Sequence, residues 1–243
     1  MRRVTGAILN ATGIVAGGLI GLARTTPLSA QAQAFFKTGL GVFTIFYGLR
    51  LTWLNINGSF LPVLRQVGIA LLAMVLGRLL GRLLHLQHTS NALGHYAKRL
   101  IEQTGPDDPQ RFSNGLSACA ILFCASPLGL LGAIQDGLSG YFYPLAVKAA
   151  MDGLAMVSFA RLFGVGAMLA ALPVFLLQAS VTLAGTLYLE PFLRMHGLLA
   201  SVNAVGGLVV CAVGLVIFEI KKVELADYLP ALAVAPVLTW FWK

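Results

Sequence analysis

Lys148 and Asp152 stand four residues apart in the run LAVKAAMDGLA, residues 145–155, which is otherwise apolar. On a helix, positions i and i+4 share a face, so the two side chains can touch and partly neutralise each other. Each charge at the centre of a membrane helix costs about 2.5–3.5 kcal/mol on insertion scales, and a pair facing the bundle interior reduces that cost where a lipid-facing pair does not. Intramembrane ionisable residues are therefore candidates for function. Two readings stay open. In one, Asp152 is the functional carboxylate of a transport pathway and Lys148 its internal counter-ion; in the other, the pair only fixes helix register.

Just before it lies FCASPLGLLGAIQDGLSG, residues 123–140. Pro127 removes a helical hydrogen bond and clashes with the preceding turn, while Gly129, Gly132, Gly137 and Gly140 weaken the helix further. The stretch reads as a broken or re-entrant helix, with Gln135 and Asp136 near its end, either in the pathway or in an ordinary interfacial turn. Backbone groups freed at membrane depth can bind ions where they line protein or water. Three amides, Asn10, Gln178 and Asn203, fall in other apolar runs. Asn10 and Gln178 are pathway candidates, and Asn203 fits an interhelical hydrogen bond better. A kink at Pro173 would present Gln178 and Thr182 on one polar face.

Other chemistries find little support. His85, His88 and His95 lack a carboxylate or Cys at ligand spacing, so no metal is expected. Cys119, Cys124 and Cys211 are odd in number, lie in apolar runs and form no CxxC, which fits small core residues. No P-loop, GxSxG or HExxH motif occurs, and neither an enzyme nor a cofactor is expected.

These residues need a membrane scaffold to position them. The 243-residue chain is 58% hydrophobic and only 11% charged, with a mean hydropathy of +0.82. Soluble domains carry about 25% charged residues. Eight apolar segments are expected at 6–23, 36–54, 61–84, 113–136, 141–160, 163–189, 196–218 and 228–242, several reaching the roughly 18 residues needed to cross a bilayer. The first reads as a retained span rather than a cleaved signal, and Trp240, Trp242 and Lys243 suit an interfacial anchor at the end. The formal charge of +8 comes from basic residues at segment ends, a positive-inside pattern that argues against a nucleic-acid partner. The polar connection 85–112 is expected in the cytoplasm, with Arg24, Lys37, Arg78, Arg82, Arg161, Lys221 and Lys222 on its side and Arg2 and Arg3 opposing. Gly13, Gly17 and Gly21, and Gly77 with Gly81, are spaced for close helix packing. GVFTIFYGL at 41–49, followed by Leu61-Pro62, echoes GLVVCAVGL at 207–215, followed by Leu229-Pro230. A separation of five spans would make this an inverted repeat, as in transporters; two abundant residue types, Gly and Leu, also produce such echoes by chance.

FCASPLGLLGAIQDGL, LAVKAAMDGLA, Phe159-Ala160, Gly164-Val165-Gly166, Pro173-Val174 and Gln178, with GAILNATGIVAGGLIG near the start and LPAL near the end, resemble the YqgA/YdfK-like bacterial membrane proteins of unknown function. The resemblance covers essentially the whole chain and implies a multi-pass inner-membrane protein, sometimes labelled a transporter. The expectation is one all-α domain over 1–243, a polytopic transmembrane bundle of seven or eight spans. Its partners would be membrane lipid, a small solute or ion, and a second copy of itself. A structural or regulatory membrane protein is the alternative.

Overall fold

The structure is a computed structural model that describes residues 4–24, 26, 29–105 and 108–242. Arg2, Arg3 and Lys243 lie outside the described residues. The rest is helical, with no strand among the described residues: α1 (Thr5–Ala23), α2 (Ala30–Leu54), α3 (Phe60–Leu83), α4 (Leu86–Gln103), α5 (Arg111–Cys124), α6 (Pro127–Ser139), α7 (Tyr143–Phe163), α8 (Val165–Met168), α9 (Ala171–Ala184), α10 (Glu190–Met195), α11 (Leu199–Ile217) and α12 (Ala231–Phe241). A π-helical stretch, Gly185–Leu189, links α9 to α10, and a 3-10 turn, Leu225–Tyr228, precedes α12.

Four helical segments among the described residues are long and apolar enough to cross a membrane: Thr5–Ala23, Phe60–Leu83, Val165–Met195 and Leu199–Ile217. A fifth arises if α5 and α6 count together. The eight expected segments all appear as helix, but α12, at 11 residues, is too short for this set, and α2 and α7 also fall outside it. Both are long enough, at 25 and 21 residues; Lys37 and Arg50 in one, and Lys148, Asp152 and Arg161 in the other, lower their apolarity.

The broken helix is present, and its break is sharper than the glycines imply. α5 stops at Cys124, α6 starts at Pro127, and the two are bent by 58°. Proline's fixed φ and missing N–H suit the first position of a helix, so Pro127 opens α6. Gly129, Gly132 and Gly137 lie inside α6 and admit close neighbours; Gly140, at φ 66°, ends it. Pro173 sits in the first turn of α9, just after the two-residue turn at 169–170 that interrupts the Val165–Met195 segment. The 85–112 connection is largely α4, whose buried Ala97 lies beneath a polar outer face. His85 takes a left-handed conformation (φ 53°, ψ 34°) before that helix, so it does not share a helical face with His88.

Glycine stripes set the helix pairings. On α1, Gly13 lies against Ala149 of α7, Gly17 against Gly153 and Gly21 against Val157, in each case at the carbonyl oxygen. The register advances in the same direction on both helices, so α1 and α7 run parallel. α2 and α11 run antiparallel: Gly48 meets Cys211 and Gly207, while Gly214 meets Ile45 and Gly41. α3 packs on the last turns through Gly77 against Ala231 and Gly81 against Asp227. Leu131 of α6 joins Val205, Val209 and Ala231 in one core, and Ile14, Phe123, Met156 and Val174 fill another.

Lys37, Arg78 and Arg111 sit near one end of the bundle, whereas Arg65, which donates to the Trp242 carbonyl at 3.0 Å, sits at the other. Lys37 pairs with Glu219 at 2.6 Å, Arg78 with Glu224 at 3.2 Å, and Arg111 donates to the Leu162 carbonyl at 2.6 Å. The Lys37 ammonium, by its hydrogen bond, holds the exposed Glu219 carboxyl below the usual carboxylate range. Gln87 of α4 receives Ala226 N–H and donates its own N–H to Asp227, which fixes α4 to this end.

A side chain at Gly17 would overlap the Gly153 carbonyl, whereas Gly39 has nothing within 4 Å. Gly17→Leu is therefore expected to lower the melting temperature of the detergent-purified protein, or abolish its monodisperse elution, with an overpacking cost of about 1–3 kcal/mol or more. Gly39→Leu should leave both unchanged, and equal behaviour of the two variants would contradict the α1–α7 register.

Candidate functional site

Asn10 occupies the same stripe of α1 as Gly13 and Gly17, so the close approach those glycines allow carries its amide to the centre of α7. There Lys148 Nζ lies 2.9 Å from Asp152 Oδ1 and 2.7 Å from Oδ2, an ion pair with Lys148 2% and Asp152 7% exposed. The Asn10 side chain lies beside Asp152 and donates to Gln178 Oε1 of α9 at 3.2 Å. Three helices thus deliver Asn10, Lys148, Asp152 and Gln178 to one buried point.

The break between α5 and α6 borders the same point. Lys148 Nζ stands 5.8 Å from the centre of the Phe123 ring, in the last turn of α5, where the helix dipole favours a cation. A Cβ on Gly129, in the first turn of α6, would lie 2.9 Å from Lys148 Cε and 3.2 Å from Gln178 Nε2. Glycine there lets the lysine stem and the amide approach the helix start. Beside them is a cavity of about 10 Å³, lined by Cys124, Gly129, Leu130, Ala133, Gln178 and Val181 among others. Gln178 Nε2 and Asn10 Oδ1 have no hydrogen-bond partner among the described residues. Such buried orphans each cost about 1–3 kcal/mol.

The remaining three expected residues lie elsewhere. Asp136 Oδ2 accepts the Gly6 N–H at 2.9 Å, a carboxylate at the N-terminus of α1, which the helix dipole stabilises. Gln135 is fully buried against Gly206 of α11, with neither amide atom partnered among the described residues. Asn203 Nδ2 donates to Asn55 Oδ1 at the end of α2, at 3.1 Å, the interhelical bond expected of it. Thr182 is on the Gln178 face, one turn on, and donates to the Ala133 carbonyl of α6 at 3.1 Å.

Phe123 and Gly129 are the site residues that sequence reasoning missed, the one as a cation partner and the other as the place where the lysine stem and the Gln178 amide approach α6. Their signal was proximity to Pro127, since groups next to a helix break face whatever the break exposes.

The chain matches the family described as "Protein of unknown function (DUF554)" over residues 5–240. It is 28% identical over 240 residues to "Uncharacterized protein YqgA" of Escherichia coli (strain K12), covering 98% of this chain and 97% of the relative. It is 28% identical over 233 residues to "Uncharacterized membrane protein YdfK" of Bacillus subtilis (strain 168), covering 96% and 94%. No solved structure matches.

Removing one member of a buried pair leaves an uncompensated charge, at a cost of about 3–5 kcal/mol, whereas an apolar pair of similar volume is often neutral or stabilising. Lys148→Met is expected to lower the melting temperature sharply, and Lys148→Met with Asp152→Leu to restore it to near the wild-type value. A single variant as stable as wild type would show that the two groups are not mutually dependent.

Proposed function

The chain belongs to the DUF554 family and is a membrane protein, and from that premise we propose that it is a secondary transporter or channel carrying a small solute or ion across the bacterial inner membrane. The observation that supports this most is the convergence of Asn10, Lys148, Asp152 and Gln178 beside a helix break, because bundles that only need to pack gain nothing from burying two charges and two half-satisfied amides. In this reading a cargo ion exchanges for one partner in the Lys148–Asp152 pair. The resulting change in contacts between α7, α1 and α9 biases the bundle between inward- and outward-open states. Catalysis forms no part of the proposal, nor does a nucleic acid; membrane lipid and a second copy of the chain are the other partners.

Helix directions support eight passages. If α4 rests on the surface and every other segment crosses, counting along the chain makes α1 and α7 parallel and α2 and α11 antiparallel, which are the directions of their glycine contacts. A re-entrant α5–α6 would reverse α7 relative to α1, so the pair is read as a bent crossing. The inverted repeat is supported in the same way. Ile45 and Cys211, 166 residues apart, occupy equivalent places in the two copies. Gly214 meets Ile45 as Gly48 meets Cys211, and Gly207 meets Thr52 as Gly41 meets Phe218. Each contact has its image across a two-fold axis lying between the helices.

One observation favours the structural reading instead: Lys148 and Asp152 are sealed from solvent. A transporter must open this region in turn to each side; a packing pair need not.

Asp152→Asn keeps the shape and a hydrogen-bonding group but loses the charge. It is expected to abolish solute uptake by reconstituted vesicles while leaving a folded protein, and the Lys148→Met, Asp152→Leu double variant should be stable yet inactive. Full uptake by the double variant would reduce the two residues to a structural pair. Reporter fusions in α4 are expected to read as cytoplasmic, and an external signal there would invert the orientation.

A further inference from the structure

The segment that joins α11 to the 3-10 turn before α12 carries two adjacent lysines, Lys221 and Lys222. α11 ends in a Schellman-type turn: the Ile220 N–H bonds the Leu215 carbonyl at 3.1 Å, and Glu219 takes the left-handed conformation, φ 58°, that glycine usually fills. Beyond that turn both lysines line a cavity of about 640 Å³, bounded also by α3, α4 and α11. The carboxylates around it are already engaged: Glu219 pairs with Lys37, Glu224 pairs with Arg78, and the buried Asp227 accepts the Gln87 N–H. Lys221 and Lys222, both exposed, therefore have no counter-ion among the described residues. Arg78 joins them in the wall; one of its N–H groups goes to Glu224, and its guanidinium lies 5.7 Å from the centre of the Tyr228 ring. Three cations against Glu224 leave the cavity with two uncompensated positive charges. Its deeper lining is apolar. Met74 stands one turn before Arg78 on α3, Ala212 and Leu215 lie in the last two turns of α11, and the exposed Leu71 continues the strip along α3.

We propose that this cavity binds an anionic phospholipid, its phosphate held by Arg78, Lys221 and Lys222 and its acyl chains lying against Met74 and Leu215. Cations on long side chains near membrane-helix ends reach the headgroup level, and basic pockets between such helices hold anionic headgroups. The apolar half of the lining decides between a lipid and a free phosphate: that flank faces acyl chains, so the phosphate nearest the cations is one already attached to them. A zwitterionic lipid brings an ammonium of its own against the two lysines, which selects a headgroup with net negative charge. Gln87 and Asn91 of α4 close the remaining side, so a lipid seated there ties α3, α4 and α11 together. The inference gives the lipid partner a class and a place; it rests on the chain being a membrane protein and not on transport.

The test uses the full chain in detergent micelles doped with phosphatidylglycerol or phosphatidylcholine. A saturable rise in melting temperature with phosphatidylglycerol is expected, absent with phosphatidylcholine and with glycerol 3-phosphate at matched ionic strength. Lys221→Gln with Lys222→Gln should weaken the apparent phosphatidylglycerol affinity about 30-fold, from about 1 kcal/mol per cation, while melting like wild type in phosphatidylcholine. Lys98→Gln with Arg99→Gln, an equal loss of charge at exposed positions of α4, should keep the full rise. Native mass spectra of the wild type should retain phosphatidylglycerol over an equal amount of phosphatidylcholine, which decides the matter should the variants fail to fold. Equal retention of the two lipids overturns the proposal. So does a Lys98, Arg99 variant as impaired as the Lys221, Lys222 one, which would mean diffuse attraction only. A rise with glycerol 3-phosphate as large as with the lipid overturns it too, and gives the cavity to a soluble phosphate ester.

Discussion

The centre of this bundle is arranged around the difficulty of keeping a full charge buried among apolar helices. An ammonium and a carboxylate there are tolerable only when each holds the other and further dipoles complete their shells. Lys148 and Asp152 hold each other on one face of α7, by a hydrogen bond to Oδ1 and an ion-pair contact to Oδ2, which has no hydrogen bond of its own. The surroundings follow from it. Asn10 must reach the carboxylate, so α1 must approach α7 closely, and the glycine stripe at 13, 17 and 21 makes that approach possible. The ammonium needs electron-rich company, which the Phe123 ring and the end of α5 supply.

The same economy explains the helix break. A continuous α5–α6 span would satisfy its own backbone groups and present only side chains to Lys148. Pro127 interrupts it, setting the negative end of one helix and the positive end of another beside the pair. A second carboxylate, Asp136, is handled by a related device, being placed on the N-terminus of α1. Both solutions use helix ends where soluble proteins would use water.

Much of this was legible in the sequence, for physical reasons that differ by feature. Lys148 and Asp152 could be paired from their spacing alone, because i and i+4 always share a helical face. The eight helical segments followed from hydropathy, and the break from Pro127. Long-range convergence was not legible: nothing local says that Asn10 meets Gln178, 168 residues away, or that Asn203 finds Asn55. Gln135 and Asp136 looked like one site by adjacency, yet neighbouring positions on a helix point about 100° apart, and the two serve different interfaces. The glycines of α6 were read as weakening it, when their neighbours show that they permit contact. α4 was missed as a helix because its apolar stripe is narrow and its other face polar, which leaves average hydropathy low.

The central claim is that the sealed region around the pair opens in turn to both sides of the membrane. Cys124 lines the cavity beside Gln178 and can report on this directly once Cys119 and Cys211 are replaced by alanine. The measurement is the rate of Cys124 modification by a membrane-impermeant thiol reagent in right-side-out and inside-out vesicles, with cargo present. The account predicts labelling from both sides, slowed by Asp152→Asn; labelling from neither side, or from one side alone, would contradict it.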